Sequence, residues 1–345
     1  MDDMGPQGKL RMIRRSLILI SMLIVPLACD QKAKRGTGSD TVRIAIHRDP
    51  IAFLPLRVSE THAYYQQQQV DVKMSDVAGG SKAIEALLGG SVDVAVVSVS
   101  DVVLLAAQGR RVRCFYVLYT RPLVALAVAP ELSGKIRNIA DLREHTVGVS
   151  SPGSATHQFL NFLLESVGLS PNDVSIVSVG MSNSSIAALE HRQVDAAILI
   201  ASAITTFENR HPDTRFLADT RSATGAQRAL GSMEFPSLAL VAQDAWIQTH
   251  ADAARRLVRS VREGLDWMHE SSLEKVRQEI PESARMSDAD TDYRAIRDTQ
   301  QVISTSGLMP ADGPQRIVHL LAVSEPRVNQ VDVSQLYTNE FVLAK

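Results

Sequence analysis

The chain has 345 residues, 36 Lys and Arg against 38 Asp and Glu, a formal charge of −2, and 45% hydrophobic residues. That near balance, with basic residues dispersed or paired as in Arg110-Arg111 and Arg255-Arg256, excludes the clustered cationic surface that nucleic acid requires. Two cysteines, Cys29 and Cys114, exclude a disulfide framework, and the 305 residues from Thr41 onward suffice for two lobes of ordinary domain size.

Residues 1–28 read as an export signal: Lys9, Arg11, Arg14 and Arg15 precede the apolar run Ser16 to Ala28, which is shorter than the roughly 20 residues a spanning helix needs. Leu27-Ala28-Cys29 resembles the end of a bacterial lipoprotein signal, with Pro26 as a departure from the usual pattern. Cys29 is therefore the expected lipidation site. Residues 29–40, rich in Lys, Arg, Gly, Ser and Asp, have little apolar surface to bury and read as a flexible tether.

From there the pattern alternates. Val42 to Ile46 reads as a strand, His47 to Pro50 as a loop, Ile51 to Tyr65 as a helix and Val70 to Met74 as a strand. Helix Ser81 to Leu88, strand Val92 to Val97 and helix Ser98 to Gln108 follow. Cys114 to Ala129 reads as two strands meeting at Arg121-Pro122. The alternation restarts with a short helix at Ile139 to Leu142, strand Thr146 to Val149, helix Ala155 to Val167 capped by Gly168, and strand Val174 to Val179. Helix Ser184 to Glu190 and strand Val194 to Leu199 come next. Ser237 to Ala242 reads as a returning strand, Ala253 to His269 as an amphipathic helix, and segments near Ala295 to Ser304 and Arg316 to Leu321 as a helical tail packing on lobe one.

Two stretches repeat. Ala86-Leu87-x4-Val92-Asp93-x-Ala95 recurs 102 residues later as Ala188-Leu189-x4-Val194-Asp195-x-Ala197. Each joins a helix to the near-continuous apolar strand expected when helices cover both faces of a parallel sheet. One α/β unit in each half predicts two lobes, and ligands of open α/β sheets sit beyond the carboxyl ends of the strands. The expected boundaries are 41–129 plus 235–345 for lobe one and 130–234 for lobe two.

Taken in order, Gly79-Gly80-Ser81, the first repeat, Asp141-Leu142-x4-Val147-Gly148-Val149, Ser151-Pro152-Gly153-Ser154, Gly168-Leu169-Ser170-Pro171-x-Asp173 and the second repeat resemble the nitrate/sulfonate/taurine type of ABC-transporter solute-binding protein, a group that includes thiamine-precursor binders. Where that family usually has glycine before the second Val-Asp, the chain has Glu190-His191-Arg192-Gln193. The resemblance implies an α/β, two-lobed type II periplasmic-binding-protein fold, each lobe a mixed sheet flanked by helices with the ligand cleft between them. It implies a monomer at the periplasm or cell surface, a small solute, an ABC permease as partner and no cofactor.

Candidate ligand contacts are loop residues at strand ends. Ser151, Gly153, Ser154, Ala155 and Thr156 open a helix whose free N–H groups and dipole favour an anion; read alone, Ser154 is equally an N-cap. Gly79, Gly80 and Ser81 offer a second such start, and Ser98, Ser100, Ser182 and Ala201 lie at further strand-to-helix loops. Arg48 and Arg121 stand as charge-assisted donors or as surface residues, and Phe53 and Phe235 as apolar ligand contacts or core. Asp49, with His47, reads as an acid/base pair or as a capped turn before Pro50.

Enzyme motifs are missing from the sequence: no His-x-x-x-His, Gly-x-Ser-x-Gly, P-loop or Gly-x-Gly-x-x-Gly occurs. A non-enzyme is expected. The alternatives are a same-fold enzyme of the menaquinone or thiamine-pyrimidine type, or a sensor for a membrane receptor.

Overall fold

The computed structural model describes residues 40–47, 51–286 and 288–343; the export signal, most of the tether and Cys29 lie outside them. In order along the first part run β1 (Asp40–His47), α1 (Leu54–Thr61), α2 (Tyr64–Gln67), β2 (Val70–Val77), α3 (Gly80–Leu88), β3 (Val94–Ser98), α4 (Val99–Ala107) and β4 (Val112–Val117). Then come β5 (Val124–Val128), β6 (Thr146–Val149), α5 (Ala155–Glu165), β7 (Ser175–Ser178), α6 (Asn183–Glu190), β8 (Ala196–Ile200), α7 (Ser202–Arg210), β9 (Phe216–Asp219) and α8 (Ala223–Leu230). Last are β10 (Leu238–Gln243), α9 (Asp244–Thr249), α10 (Ala251–Glu270), α11 (Leu273–Gln278), α12 (Ala289–Gln300), α13 (Gly313–Ala322) and α14 (Glu340–Leu343).

The strands form two five-stranded sheets of matching order, β2-β1-β3-β10-β4 and β7-β6-β8-β5-β9. In each, three strands are parallel and the fourth, β10 or β5, runs antiparallel to both its neighbours. These are the two lobes. Residues 94–97 of β3 and 196–199 of β8 are all at most 2% exposed, as strands covered on both faces require. One apolar cluster joins α3, α4, α5 and α13 across both lobes, and separate clusters fill the α1/α10 side of the first sheet and the α6/α7 side of the second.

The repeated Val-Asp has a shared physical task. Asp93 Oδ2 accepts the main-chain N–H of Arg43 at 2.9 Å, while Asp93 N–H donates to Arg43 O at 2.9 Å. Asp195 repeats this with Thr146, its Oδ2 accepting Thr146 N–H at 3.0 Å and its own N–H donating to Thr146 O at 2.8 Å. Each carboxylate thus ties the entry of the third parallel strand to the first. The same turn precedes both: N–H groups of Ser91 and Val92 reach Ala86 O, and those of Gln193 and Val194 reach Ala188 O. The turn needs a left-handed residue, supplied by Gly90 (φ +73°) in lobe one and by Arg192 (φ +56°) in lobe two. Arg192 bears the steric cost and places its guanidinium 3.0 Å from Asp195 Oδ1.

Several expectations shift. The two strands of Cys114 to Ala129 belong to different sheets, because Val124–Val128 fills the antiparallel position between β8 and β9. The chain therefore crosses between β4 and β5, and residues 124–129, expected in lobe one, stand with the second sheet. Strands β3 and β8 begin two residues later than expected, because Val92-Asp93 and Val194-Asp195 are spent on the turn and clamp. The helix expected over Ile51 to Tyr65 breaks at Ala63, whose φ is +58°. Sequence reading also missed α7, β9 and α8. The tail packs on lobe one through α13 against α4, but α12 also touches α7 and α13 touches α5.

Burial alone raises the Asp93 carboxyl, yet the bonds from the Arg43 side chain and main chain outweigh it and hold the group below the usual carboxylate value. Such a carboxylate stabilises the fold above its unfolded pKa of about 4, and that contribution fades as pH falls through the depressed folded value. Asp93→Asn is expected to cost about 1–3 kcal/mol at pH 7 and much less near pH 3. Urea unfolding at the two pH values checks this; an equal cost at both would exclude the ionic clamp.

Candidate functional site

The carboxyl ends of the parallel strands converge on one cavity of about 440 Å³. Its wall takes Gly79, Gly80, Ser81 and Lys82 from the loop after β2, and Ser98, Ser100 and Asp101 from the end of β3. From the second lobe it takes Ser150, Ser151, Ser154, Ala155 and Thr156 after β6, Gly180 and Met181 after β7, and Ile200 and Ala201 after β8. The crossing segments Pro122 to Val124 and Phe235 to Leu238 form its floor, with Tyr119 and Phe159 beside them. Both lobes meet at the rim, where a Cβ built on Gly79 lies 3.7 Å from the Met181 methyl.

Lobe two contributes a ring of three hydroxyls at the start of α5. Ser150 Oγ lies 2.9 Å from Ser154 Oγ and 2.8 Å from Thr156 Oγ1, which are 2.9 Å apart. Ser154 also caps α5 by accepting His157 N–H, and Thr156 accepts Ser150 N–H at 2.9 Å. By contrast α3, α6 and α7 start at Gly79, Ser182 and Ala201 with no side-chain cap. Their first N–H groups keep the positive end of the dipole for another acceptor.

Lobe one answers with a capping box at the start of α4. Ser98 Oγ lies 2.7 Å from Ser100 Oγ, and Asp101 Oδ2 accepts Ser98 N–H at 3.2 Å. Burial pushes the Asp101 carboxyl up to about 6, against the lowering effect of the Ser98 bond. Lys82 gives its ammonium to Glu85 at 2.6 Å. Among the described residues, no group of three or more His, Cys, Asp and Glu stands where it can hold a metal ion.

Of the residues expected here, Gly79, Gly80, Ser81, Ser98, Ser100, Ser151, Ser154, Ala155, Thr156 and Ala201 line the cavity, as does Phe235. Arg48 and Asp49 lie outside the described residues. Arg121 is no donor to the cavity: it is 8% exposed and its guanidinium serves the main-chain oxygens of Arg221 and Gln301 at 3.2 and 3.0 Å. Gly153 is also absent from the wall. Its φ of +75° serves the loop, and its N–H donates to His157 Nδ1 at 2.8 Å. Ser182 is absent from the wall, its carbonyl engaged by Ser185 Oγ, and Phe53 is wholly buried in the core. Sequence reading missed Ser150, Asp101, Tyr119, Phe159 and Met181; Asp101 was legible as the third residue after a Ser N-cap.

A wider groove of about 960 Å³ runs between α5, β9, α8 and α13. Leu230, Phe235 and Leu320 line both spaces and part them.

The NMT1/THI5-like family matches residues 51–274. A solved structure from Bordetella bronchiseptica RB50 superposes with a TM-score of 0.82 at 28% identity, covering 88% of this chain and 96% of that one. The aliphatic sulphonate binding protein SsuA of Escherichia coli gives 0.70 at 16% identity, with 88% and 99% covered. The nitrate-binding protein NrtA of Synechocystis PCC 6803 gives 0.66 at 13%, with 88% and 87% covered. Comparison with curated proteins gives no match.

One strained residue stands at the cleft. Ala201, the N-cap of α7, holds φ +40° and ψ −119°, a region that disfavours a side chain at a cost of about 1–3 kcal/mol. Ala201→Gly is expected to raise stability by about 1 kcal/mol after the extra chain entropy of glycine. Chemical denaturation decides it, and an unchanged or lower midpoint would show the strain to be absent.

Proposed function

The chain belongs to the NMT1/THI5-like family, and from that premise we propose that it is the extracytoplasmic solute-binding component of an ABC importer. It holds a small solute between its lobes, without covalent chemistry, and delivers it to a permease. The observation that carries this reading is the convergence of five strand-to-helix loops from two lobes on one cavity of about 440 Å³. Such a volume lies in the ordinary range for small-molecule sites, roughly 300–1,000 Å³.

The wall selects the chemistry. Uncapped helix starts and the Ser150-Ser154-Thr156 ring accept an acidic head, of the kind the sulphonate- and nitrate-binding neighbours are named for. Leu123, Phe159, Ile200, Phe235 and Leu238 offer apolar surface for a body. A bare nitrate ion would leave most of that space unused, so an organic acid of sulfonate or carboxylate type is the favoured solute. The protein works as a monomer, tethered by lipid on Cys29 at the outer face of the cytoplasmic membrane.

A thermal-shift panel of alkyl and aryl sulfonates, carboxylates and nitrate tests the solute class, since a ligand that binds only the native state raises Tm. The Gly80→Val variant is the control for place. A Cβ at Gly80 meets only Asp101 Oδ2, at 3.7 Å, so the variant is expected to fold normally yet lose at least about tenfold in affinity, some 1.4 kcal/mol. A folded Gly80→Val protein that binds like wild type would move the site elsewhere.

Cys29 is tested by detergent fractionation. Wild type should stay with membranes until detergent is added, and Cys29→Ser should be released without it. Equal release of both would remove the lipid anchor.

A further inference from the structure

The groove of about 960 Å³ between α5, β9, α8 and α13 is larger than the cleft cavity, and the solute proposed above does not use it. Three of its walls, α5, β9 and α8, belong to lobe two and the fourth, α13, to the tail; Leu230, Phe235 and Leu320 part it from the cleft. Ile139, Phe162, Phe216 and Leu217 line it half-buried, so each keeps apolar surface in contact with water. Among the described residues only three large apolar side chains stand exposed, and one of them, Met233 at 56%, follows the groove residue Ser232 directly. Apolar surface gathered in a concave wall is a feature of ligand sites, unlike the same residues scattered singly.

The charges on this wall leave one cation over. Asp219 is held by Arg221 at 2.7 Å, which also serves Glu208 and Asp298, neither of them in the wall. Asp312 is held by Arg316, whose other nitrogen donates to Glu234 O at 2.7 Å. Both acids of the wall are thus bound to an arginine. Arg228 lines the groove, is exposed, and makes no salt bridge or hydrogen bond among the described residues. Its place in the last turn of α8 suits the helix dipole, yet leaves a planar fork of N–H donors unspent. From α13, His319 lies edge-on to Phe162 with ring centroids 6.5 Å apart. An unspent guanidinium beside half-buried aromatic and aliphatic walls is complementary to an acid that carries an apolar body.

We propose that this groove is a second ligand site, separate from the cleft, for a soluble organic anion with an aromatic or alkyl body: the body against Phe162, Phe216 and Leu217, the acid on Arg228. It does not depend on what the cleft binds.

The test uses two fluorescent probes, 8-anilinonaphthalene-1-sulfonate and N-phenyl-1-naphthylamine, which share one aromatic body and differ by the sulfonate. Titrations at pH 7 use Gly80→Val, in which the cleft is obstructed, alone and combined with Arg228→Glu or Ala229→Trp, and a thermal melt verifies each fold. Ala229 lines the groove half-buried, so a tryptophan there fills it. The sulfonate probe is expected to bind Gly80→Val, to weaken about threefold or more when Arg228→Glu is added, and to be lost when Ala229→Trp is added. The uncharged probe is expected to ignore Arg228→Glu and to be lost with Ala229→Trp. Should Ala229→Trp fail to fold, the reversal at exposed Arg228 and its contrast between the probes remain the readout.

No binding of the sulfonate probe to Gly80→Val, or binding that neither groove substitution alters, overturns the second site. Equal weakening of both probes by Arg228→Glu overturns the assignment of an anion to it. None of these results bears on the solute-binding reading, which the thermal-shift panel decides.

Discussion

Register in these two sheets is fixed by a carboxylate that crosses from the third parallel strand to the first. Asp93 and Asp195 each exchange two hydrogen bonds with the main chain opposite, at Arg43 and Thr146. A slip of one residue would turn every buried side chain of β3 or β8 to the wrong face. Because the clamp stands at the entry of the strands, it also levels their exits. The helices that follow then begin at one height, and their N–H ends reach one cavity rather than several.

Duplication of the scaffold did not bring duplication of the chemistry. In lobe one the clamp is reinforced by Arg43, which reaches Asp93 at 2.7 Å; in lobe two by His145 at 2.9 Å and Arg192 at 3.0 Å. The helix starts diverge further. α5 is capped by a ring of three hydroxyls, α4 by a serine pair and a carboxylate, and α7 has no side-chain cap at all. The two halves thus share topology but present helix starts of different hydrogen-bonding capacity to the one cavity.

Much of the fold was legible because its signals are local. The repeat announced paired helix-to-strand units, and near-continuous apolar runs at Val92 to Val97 and Val194 to Leu199 announced strands buried on both faces. The site was legible only as loops. Helix starts after strands can be read from Gly and Ser, whereas Arg121 and Phe53 required the third dimension: one is held by main-chain oxygens and the other is core. The strand β9 was hidden because four residues with one buried position carry too weak a period to stand out. The position of the crossing was hidden too, since Cys114 to Ala129 is apolar on both sides of the break at Arg121-Pro122 and composition does not say which sheet a strand joins.

Arg121 and Arg221 tie the crossing segment, lobe two and the tail helix into one frame. Arg221, in the turn after β9, pairs with Asp219 and Glu208 inside lobe two and with Asp298 on the tail helix α12 at 3.3 Å. Arg121, in the crossing segment, bonds the carbonyls of Arg221 and Gln301 and so links the crossing, lobe two and the end of α12. Burial disfavours the charge on Arg221, but its carboxylate partners outweigh that and raise its pKa; burial raises Asp298 although Arg221 opposes it. Part-buried ion pairs of this kind add little net stability relative to apolar packing. Their directional bonds can instead favour one alignment of crossing, tail and lobe over others. Main-chain N–H groups at helix starts act only where they point, so an aligned frame keeps the helix ends around the cavity in register with one another.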